Sequence, residues 1–105
     1  MRKGWEFEQV YKQGKRLHGA GFSLIYLLSD LGSNRLGISI NGKIKGAVKR
    51  NRIKRIVRES FRLSRGLYPH DADIVFTVRP GFSLDSPSAV SQAVSLLPLG
   101  NNEIK

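Results

Sequence analysis

Cysteine is absent from the 105 residues, which excludes disulfides, thiolate catalysis and cysteine-ligated zinc. A cysteine-free chain suits a reducing compartment, so the expectation is a cytoplasmic protein. Long apolar runs are also missing: the longest, Leu24 to Leu28, is far too short to cross a bilayer. The stretch MRKGWEFEQ has charge but no apolar core behind it, and does not read as a signal peptide. Acids are scarce, eight against eighteen Lys and Arg, and scattered. A nuclease that gathers carboxylates around metal ions is therefore a poor fit. The two histidines, His18 and His70, have no serine or cysteine nucleophile pattern beside them. In YPHDAD, the set His70, Asp71 and Asp73 reads better as loop and strand-start residues than as a metal site. No glycine-rich phosphate loop of the nucleotide-binding kinds occurs.

What the chain has is concentrated positive charge. From position 43, KIKGAVKRNRIKRIVRESFRLSR holds ten Lys and Arg around one acid, Glu59. Eight basic and seven acidic residues remain elsewhere, so +9 of the net +10 sits in this segment. A sequence pI near 10.6 points to a polyanion: nucleic acid first, an anionic membrane surface second. The 40% apolar content argues for a folded chain, and its length for one domain over 1–105.

Residues 5–13 place Phe7, Val10 and Tyr11 at helical spacing, with Gly14 as a stop. FSLIYLL (22–28) reads as a strand; Asp30, Gly32, Ser33 and Asn34 signal a turn into a second strand, RLGISI. A long helix is predicted from Gly46 to about Ser64, broken by Gly66 and Pro69, then a strand at 73–79. Ser86 and Pro87 form an N-cap and first-turn pair. They open a last helix carrying Val90, Ala93, Val94 and Leu97, stopped by Pro98 and Gly100. The order is helix, two strands (a third fitting in a long hairpin), helix, strand, helix: an α+β sandwich.

At about 100° per residue, Ile53, Ile56, Val57 and Phe61 share one face of the long helix. Asn51, Lys54, Arg55, Arg58, Arg62 and Arg65 fall opposite, flanked by Arg50 and Arg52. Charged helix faces are usually just solvated, with signs mixed at i, i+4. Here Lys54–Arg58 and Arg58–Arg62 are like-charge neighbours, each costing a few tenths of a kcal/mol. A self-repelling ridge makes sense when a polyanion neutralises it. The apolar side is needed for the core, which disfavours the membrane reading. Arginine forks pair bidentately with phosphate, Asn51 offers amide groups, and the helix N-terminus adds backbone donors.

Rings are the second signal. Phe7 and Tyr11 lie one turn apart, and Phe22 and Tyr26 share one strand face. Spacing alone assigns such rings to a core, although exposed rings can stack on unpaired bases. Trp5 reads as a core or staple residue.

The run KGAVKRNRIKRIVRESFR resembles the hallmark RNR motif of the bacterial ribonuclease P protein component, A-V-x-R-N-R-[IL]-K-R-x-x-R. It is matched here by Ala47, Val48, Lys49, Arg50, Asn51, Arg52, Ile53, Lys54, Arg55 and Arg58. FEQVYKQGKR, RLGISI and DIVFTVRP resemble that family's other conserved stretches, so the similarity covers nearly the whole chain. The resemblance implies a basic subunit of a ribonucleoprotein whose RNA removes the 5′ leader from precursor tRNA, with Mg2+ held mainly by the RNA. It implies a four-stranded sheet of order α-β-β-β-α-β-α, with a left-handed crossover through the RNR helix and parallel strands at Ile38 and Ile74. On that basis Lys49, Arg50, Asn51, Arg52, Lys54, Arg55, Arg58 and Arg62 contact the catalytic RNA. Phe7, Tyr11 and Tyr26 would line a cleft for the single-stranded leader, between the first helix and the sheet. No catalytic or metal-binding residue is expected in the protein itself.

Two departures stand out. Where the family often reads S-K-K-x-G-N-A-V, this chain has Ser39, Ile40, Asn41, Gly42, Lys43, Ile44, Lys45 and Gly46, which loses a basic residue at Gly42, gains one at Lys45 and moves the glycine by one, leaving the contacts of this loop open. Only Arg2 and Lys3 stand where relatives carry a longer basic arm. Alternative readings are a ribosomal-type structural RNA binder, which needs no exposed rings, and a duplex DNA module, which would read bases from a helix N-terminus.

Overall fold

A computed structural model describes residues 4–28 and 34–97, with side chains described from residue 8 onward. Three helices and four strands follow the order α1 (Gly4–Gln13), β1 (Lys15–Gly19), β2 (Phe22–Leu28), β3 (Arg35–Ile40), α2 (Ala47–Leu63), β4 (Ala72–Val78) and α3 (Pro87–Ser95). A 3-10 turn, Arg65–Leu67, links α2 to β4. The turn signals Asp30, Gly32 and Ser33, the stops Pro98 and Gly100, and the pair Arg2 and Lys3 lie outside the described residues.

The sheet order is β1-β2-β4-β3. β1 pairs antiparallel with β2, and β2 with β4. β3 runs parallel to β4, with Ile38 opposite Phe76 and Leu36 opposite Ile74. A parallel neighbour needs a crossover, and α2 supplies it. β1 is the strand that pattern alone left as an option. KRLHG has no apolar alternation because it is an edge strand with mostly exposed side chains.

Alternation divides β2 and β4 between two faces. Phe22, Leu24, Tyr26, Ile74, Phe76 and Val78 meet Ile53, Ile56 and Val57 of α2 and Val90 and Val94 of α3 in the main core. The rings of Phe22 and Phe76 stack at 4.9 Å, 5° from parallel. The other face carries a small cluster, Val10 of α1 with Ile25 and Val75, edged by Tyr11 and Leu27. Gly14 allows that contact: a Cβ there would lie 2.6 Å from the Val10 carbonyl oxygen and 2.7 Å from that of Tyr26. The end of α1 therefore sits directly on β2.

The apolar stripe of α2 is buried as its periodicity requires, with Phe61 half-buried and packed against the core. Gly46 precedes the helix at φ 91, a left-handed conformation that suits glycine. Ser86 caps α3, its Oγ accepting from the Ala89 N–H at 3.2 Å, with Pro87 in the first turn. A polar seam joins α2 to α3 and to Tyr68, just after the 3-10 turn: Ser60 Oγ lies 2.8 Å from both Tyr68 Oη and Ser91 Oγ, and Ser91 donates to Ser64 at 3.0 Å. Burial pushes the Tyr68 phenol up to about 12, against the opposing hydrogen bond to Ser60.

Candidate nucleic-acid interface

Burying Ile53, Ile56 and Val57 turns the rest of α2 to solvent. Lys49, Asn51, Arg52, Arg55 and Arg58 are exposed, and Lys54 is half-buried. Asn51, Lys54, Arg55, Arg58 and Glu59 line a shallow groove along the ridge. Among the described residues Lys49, Arg52, Lys54, Arg55 and Arg58 have no acid partner. Val48 of the same motif is 85% exposed, an apolar side chain at the surface that a charge-based reading overlooks.

Three arginines depart from the uniform ridge. Arg62 Nε donates to Glu59 at 3.1 Å, and its guanidinium holds the Glu59 carboxyl below its ordinary value. That exposed pair is the sole mixed-sign contact seen along α2 among the described residues. Arg50 NH1 donates to the carbonyls of Ile44 at 2.9 Å and Asn41 at 3.3 Å. It thus ties the helix to the preceding loop, where Asn41 Oδ1 also accepts from the Lys43 N–H at 2.8 Å. Arg65, placed on the ridge by the helical wheel, is not there. α2 ends at Leu63, and Arg65 turns back to donate to Asn34 Oδ1 at 2.6 Å and the Asn34 carbonyl at 2.7 Å. Its guanidinium lies 4.8 Å from the centre of the Phe61 ring. A wheel extrapolated past the last helical residue assigns faces that no longer exist.

The three rings assigned to a leader cleft do not share one surface. Tyr11 is half-buried at the edge of the α1 cluster, with the Arg16 guanidinium 5.8 Å from its ring centre. Tyr26 is 4% exposed and belongs to the opposite face, within the α2–α3 core. Its placement in a cleft beneath α1 is corrected: Ile25 and Leu27 are the β2 residues on that side. The error is one position, and in a strand one position reverses the face. The side chain of Phe7 lies outside those described, although its backbone belongs to α1.

Beyond the α1 cluster, the same sheet face turns polar. Register aligns His18, Ser23, Thr77 and Ser39 across all four strands, and Gly37 lies opposite Val75. Arg35 holds Asp73 through two bonds, Nε to Oδ1 at 2.7 Å and NH2 to Oδ2 at 2.8 Å. Asp73 is therefore committed, His70 and Asp71 are exposed, and no three His, Asp or Glu among the described residues gather as metal ligands.

The sequence profile of the ribonuclease P family matches residues 1–97. The chain belongs to the ribonuclease P protein family. It is 62% identical over 97 residues to the ribonuclease P protein component of Desulfotalea psychrophila, covering 92% of this chain and 81% of that relative. Its fold resembles that of the RNase P protein from Thermotoga maritima, with TM-score 0.79, 31% identity and coverage of 90% of this chain and 89% of that one. The Staphylococcus aureus RNase P protein is similar with TM-score 0.76 and 27% identity, covering 90% and 86% of the two chains. The four-stranded mixed sheet with three helices is thus the fold of the family, and the chain is the protein subunit of a tRNA-processing ribonucleoprotein enzyme. Its partner is RNA. Among the described residues, no helix is long and apolar enough to cross a membrane.

Proposed function

We propose that this subunit docks on the catalytic RNA of ribonuclease P through the α2 ridge and presents the α1 face of its sheet to the single-stranded leader of precursor tRNA. The carrying observation is the partition of α2: Ile53, Ile56 and Val57 are consumed by the core, while Lys49, Arg52, Arg55 and Arg58 stand exposed without acids. Like charges held along one helix face are stabilised when phosphates replace their mutual repulsion. Arg50 supports the ridge by fixing its entry loop, and Asn51 adds amide donors and an acceptor beside the charges. Tyr11, with Arg16 above its ring, offers a stacking platform for an unpaired base beside the polar strand row.

Chemistry resides with the RNA in this reading. Of the described carboxylates, Asp73 is taken by Arg35 and Glu59 by Arg62. The described residues do not fit a resident magnesium ion. The protein's part is to neutralise phosphates and position the leader, which raises affinity for substrate and for the magnesium the RNA binds. The test is cleavage of precursor tRNA in low magnesium by a bacterial ribonuclease P RNA, with and without this protein. Correct 5′ processing should appear only when both are present. Processing by protein freed of RNA, or no stimulation of the RNA, would overturn the proposal.

A further inference from the structure

Glu59 is the one acid in the basic segment, and it lines the groove along the ridge instead of standing apart from it. It follows Asn51 and Arg55 at four-residue steps, so the three share one side of α2. Lys54 and Arg58 complete the lining. A groove that gripped phosphates alone would be weakened by a carboxylate, which repels every one of them.

Helix support does not account for Glu59, because an exposed ion pair three residues apart adds little stability. The pair does something else. Arg62, outside the groove lining, grips both carboxylate oxygens: its Nε donates to Oε1 at 3.1 Å and its NH2 to Oε2. A fork that takes one lone pair of each oxygen fixes the carboxylate plane and leaves each oxygen able to accept again. Arg62 thus acts on the groove through Glu59, orienting an acceptor before any ligand arrives.

The rest of the lining is mostly donors. Lys54, Arg55 and Arg58 can only donate, and the Asn51 amide does both. Phosphates offer such a carboxylate nothing, whereas the exocyclic amino groups of bases are its natural partners. Arg55, one turn before Glu59, carries a flat guanidinium on which an unpaired base can stack.

We propose that Glu59, oriented by Arg62, reads one unpaired base of the catalytic RNA by accepting a hydrogen bond from its exocyclic amino group, with Arg55 stacked beneath the base. The inference rests on the ridge reading above and deepens it: the cations hold the helix on phosphates, and Glu59 selects where along the RNA it settles. Adenine, cytosine and guanine carry the amino group; uracil, without one, is rejected.

The experiment is interference mapping on the full-length catalytic RNA. Pools of that RNA carry scattered phosphorothioate-tagged nucleotides that lack the amino group of adenine, cytosine or guanine. Bound and free RNA are separated, then cleaved with iodine to read each position. Wild-type protein should lose about fivefold in binding at one position when its amino group is removed. Glu59→Ala should bind both forms of that position alike. Glu59→Gln, which keeps an acceptor oxygen, should restore part of the discrimination. Both changes lie at the helix surface and use good helix formers, so the fold is preserved. If Glu59 is only a counter-charge, Glu59→Ala should bind the RNA more tightly, with a log–log salt slope steeper by about 0.7–0.9 from the freed Arg62. That result with an interference pattern identical to wild type overturns the proposal. A Glu59-dependent position sensitive to 2′-deoxy substitution but not to loss of an amino group would assign a ribose hydroxyl, and overturns the base reading too. An unchanged salt slope in combined Arg52→Ala, Arg55→Ala and Arg58→Ala removes the ridge reading itself, and this inference with it.

Discussion

The two faces of the sheet are built from alternate residues of the same strands, yet they have opposite characters. One face is a closed core: Phe22, Leu24, Tyr26, Ile74, Phe76 and Val78 sit under α2 and α3, all at most 4% exposed. The other buries Ile25 and Val75 against Val10 of α1, and then gives way to Ser23, Thr77, Ser39, His18 and Arg79. A single face therefore supplies most of the fold's hydrophobic stabilisation, which leaves its reverse free to be polar beside α1. The same division recurs on α2, whose buried stripe leaves the basic side unconstrained. Binding chemistry sits where the core has no claim.

The sharpest way to break this comparison is to truncate the closed face. Phe76→Ala should cost about 3–5 kcal/mol of stability, and Tyr26→Ala a similar amount, read as a large fall in melting temperature. Any RNA-affinity loss in Tyr26→Ala should be equal for precursor and mature tRNA. A near-normal melting temperature with a leader-specific loss would restore Tyr26 to the cleft.

The ridge comes next. Arg52→Ala, Arg55→Ala and Arg58→Ala combined should leave the melting transition close to wild type, since all three side chains are exposed. The log–log salt slope for binding the catalytic RNA should flatten by roughly 2 to 3, at about 0.7–0.9 per lost phosphate contact. An unaltered slope would mean that the charge is merely solvated.

Tyr11→Ala tests the open face. The expected loss is about 1–3 kcal/mol in binding precursor tRNA and little for mature tRNA, which has no leader to stack. Equal losses for both RNAs, with a lowered melting temperature, would return Tyr11 to a packing role.

The smallest effect belongs to the seam inside the closed face. Tyr68→Phe should cost about 1 kcal/mol or less at neutral pH, because one buried hydrogen bond is lost while Ser60 keeps Ser91. With its folded value raised from 10.0 to about 12, the neutral phenol's contribution is complete below pH 10 and lost as pH rises through about 12. Denaturant titrations across that window should show wild-type stability falling more steeply than that of Tyr68→Phe.

Much of this was legible in the residues. Periodicity placed α1, α2 and α3 and the strands at 22–28, 35–40 and 73–79 within a few residues of their observed ends, because apolar spacing and breakers act locally. The split of α2 into an apolar stripe and a basic side also follows from local geometry, and the RNR run pointed to the family the chain belongs to. β1 was faint because an exposed edge strand needs no apolar signature.

Only the tertiary structure decided what depends on which elements meet. The period of two shows that Phe22 and Tyr26 share a face, but not that α1 packs on the other one, beside Ile25. The order β1-β2-β4-β3 joins residues far apart in the chain: Arg79 reaches Ser23 across 56 residues, and Arg65 reaches Asn34 across 31. Each of those arginines looks like any other basic residue in the sequence. One became a helix-end lock and the other a tie from the end of β4 to Ser23 and Gly19, because a side chain's role is fixed by the neighbours that long-range packing brings to it, and local spacing does not encode those neighbours.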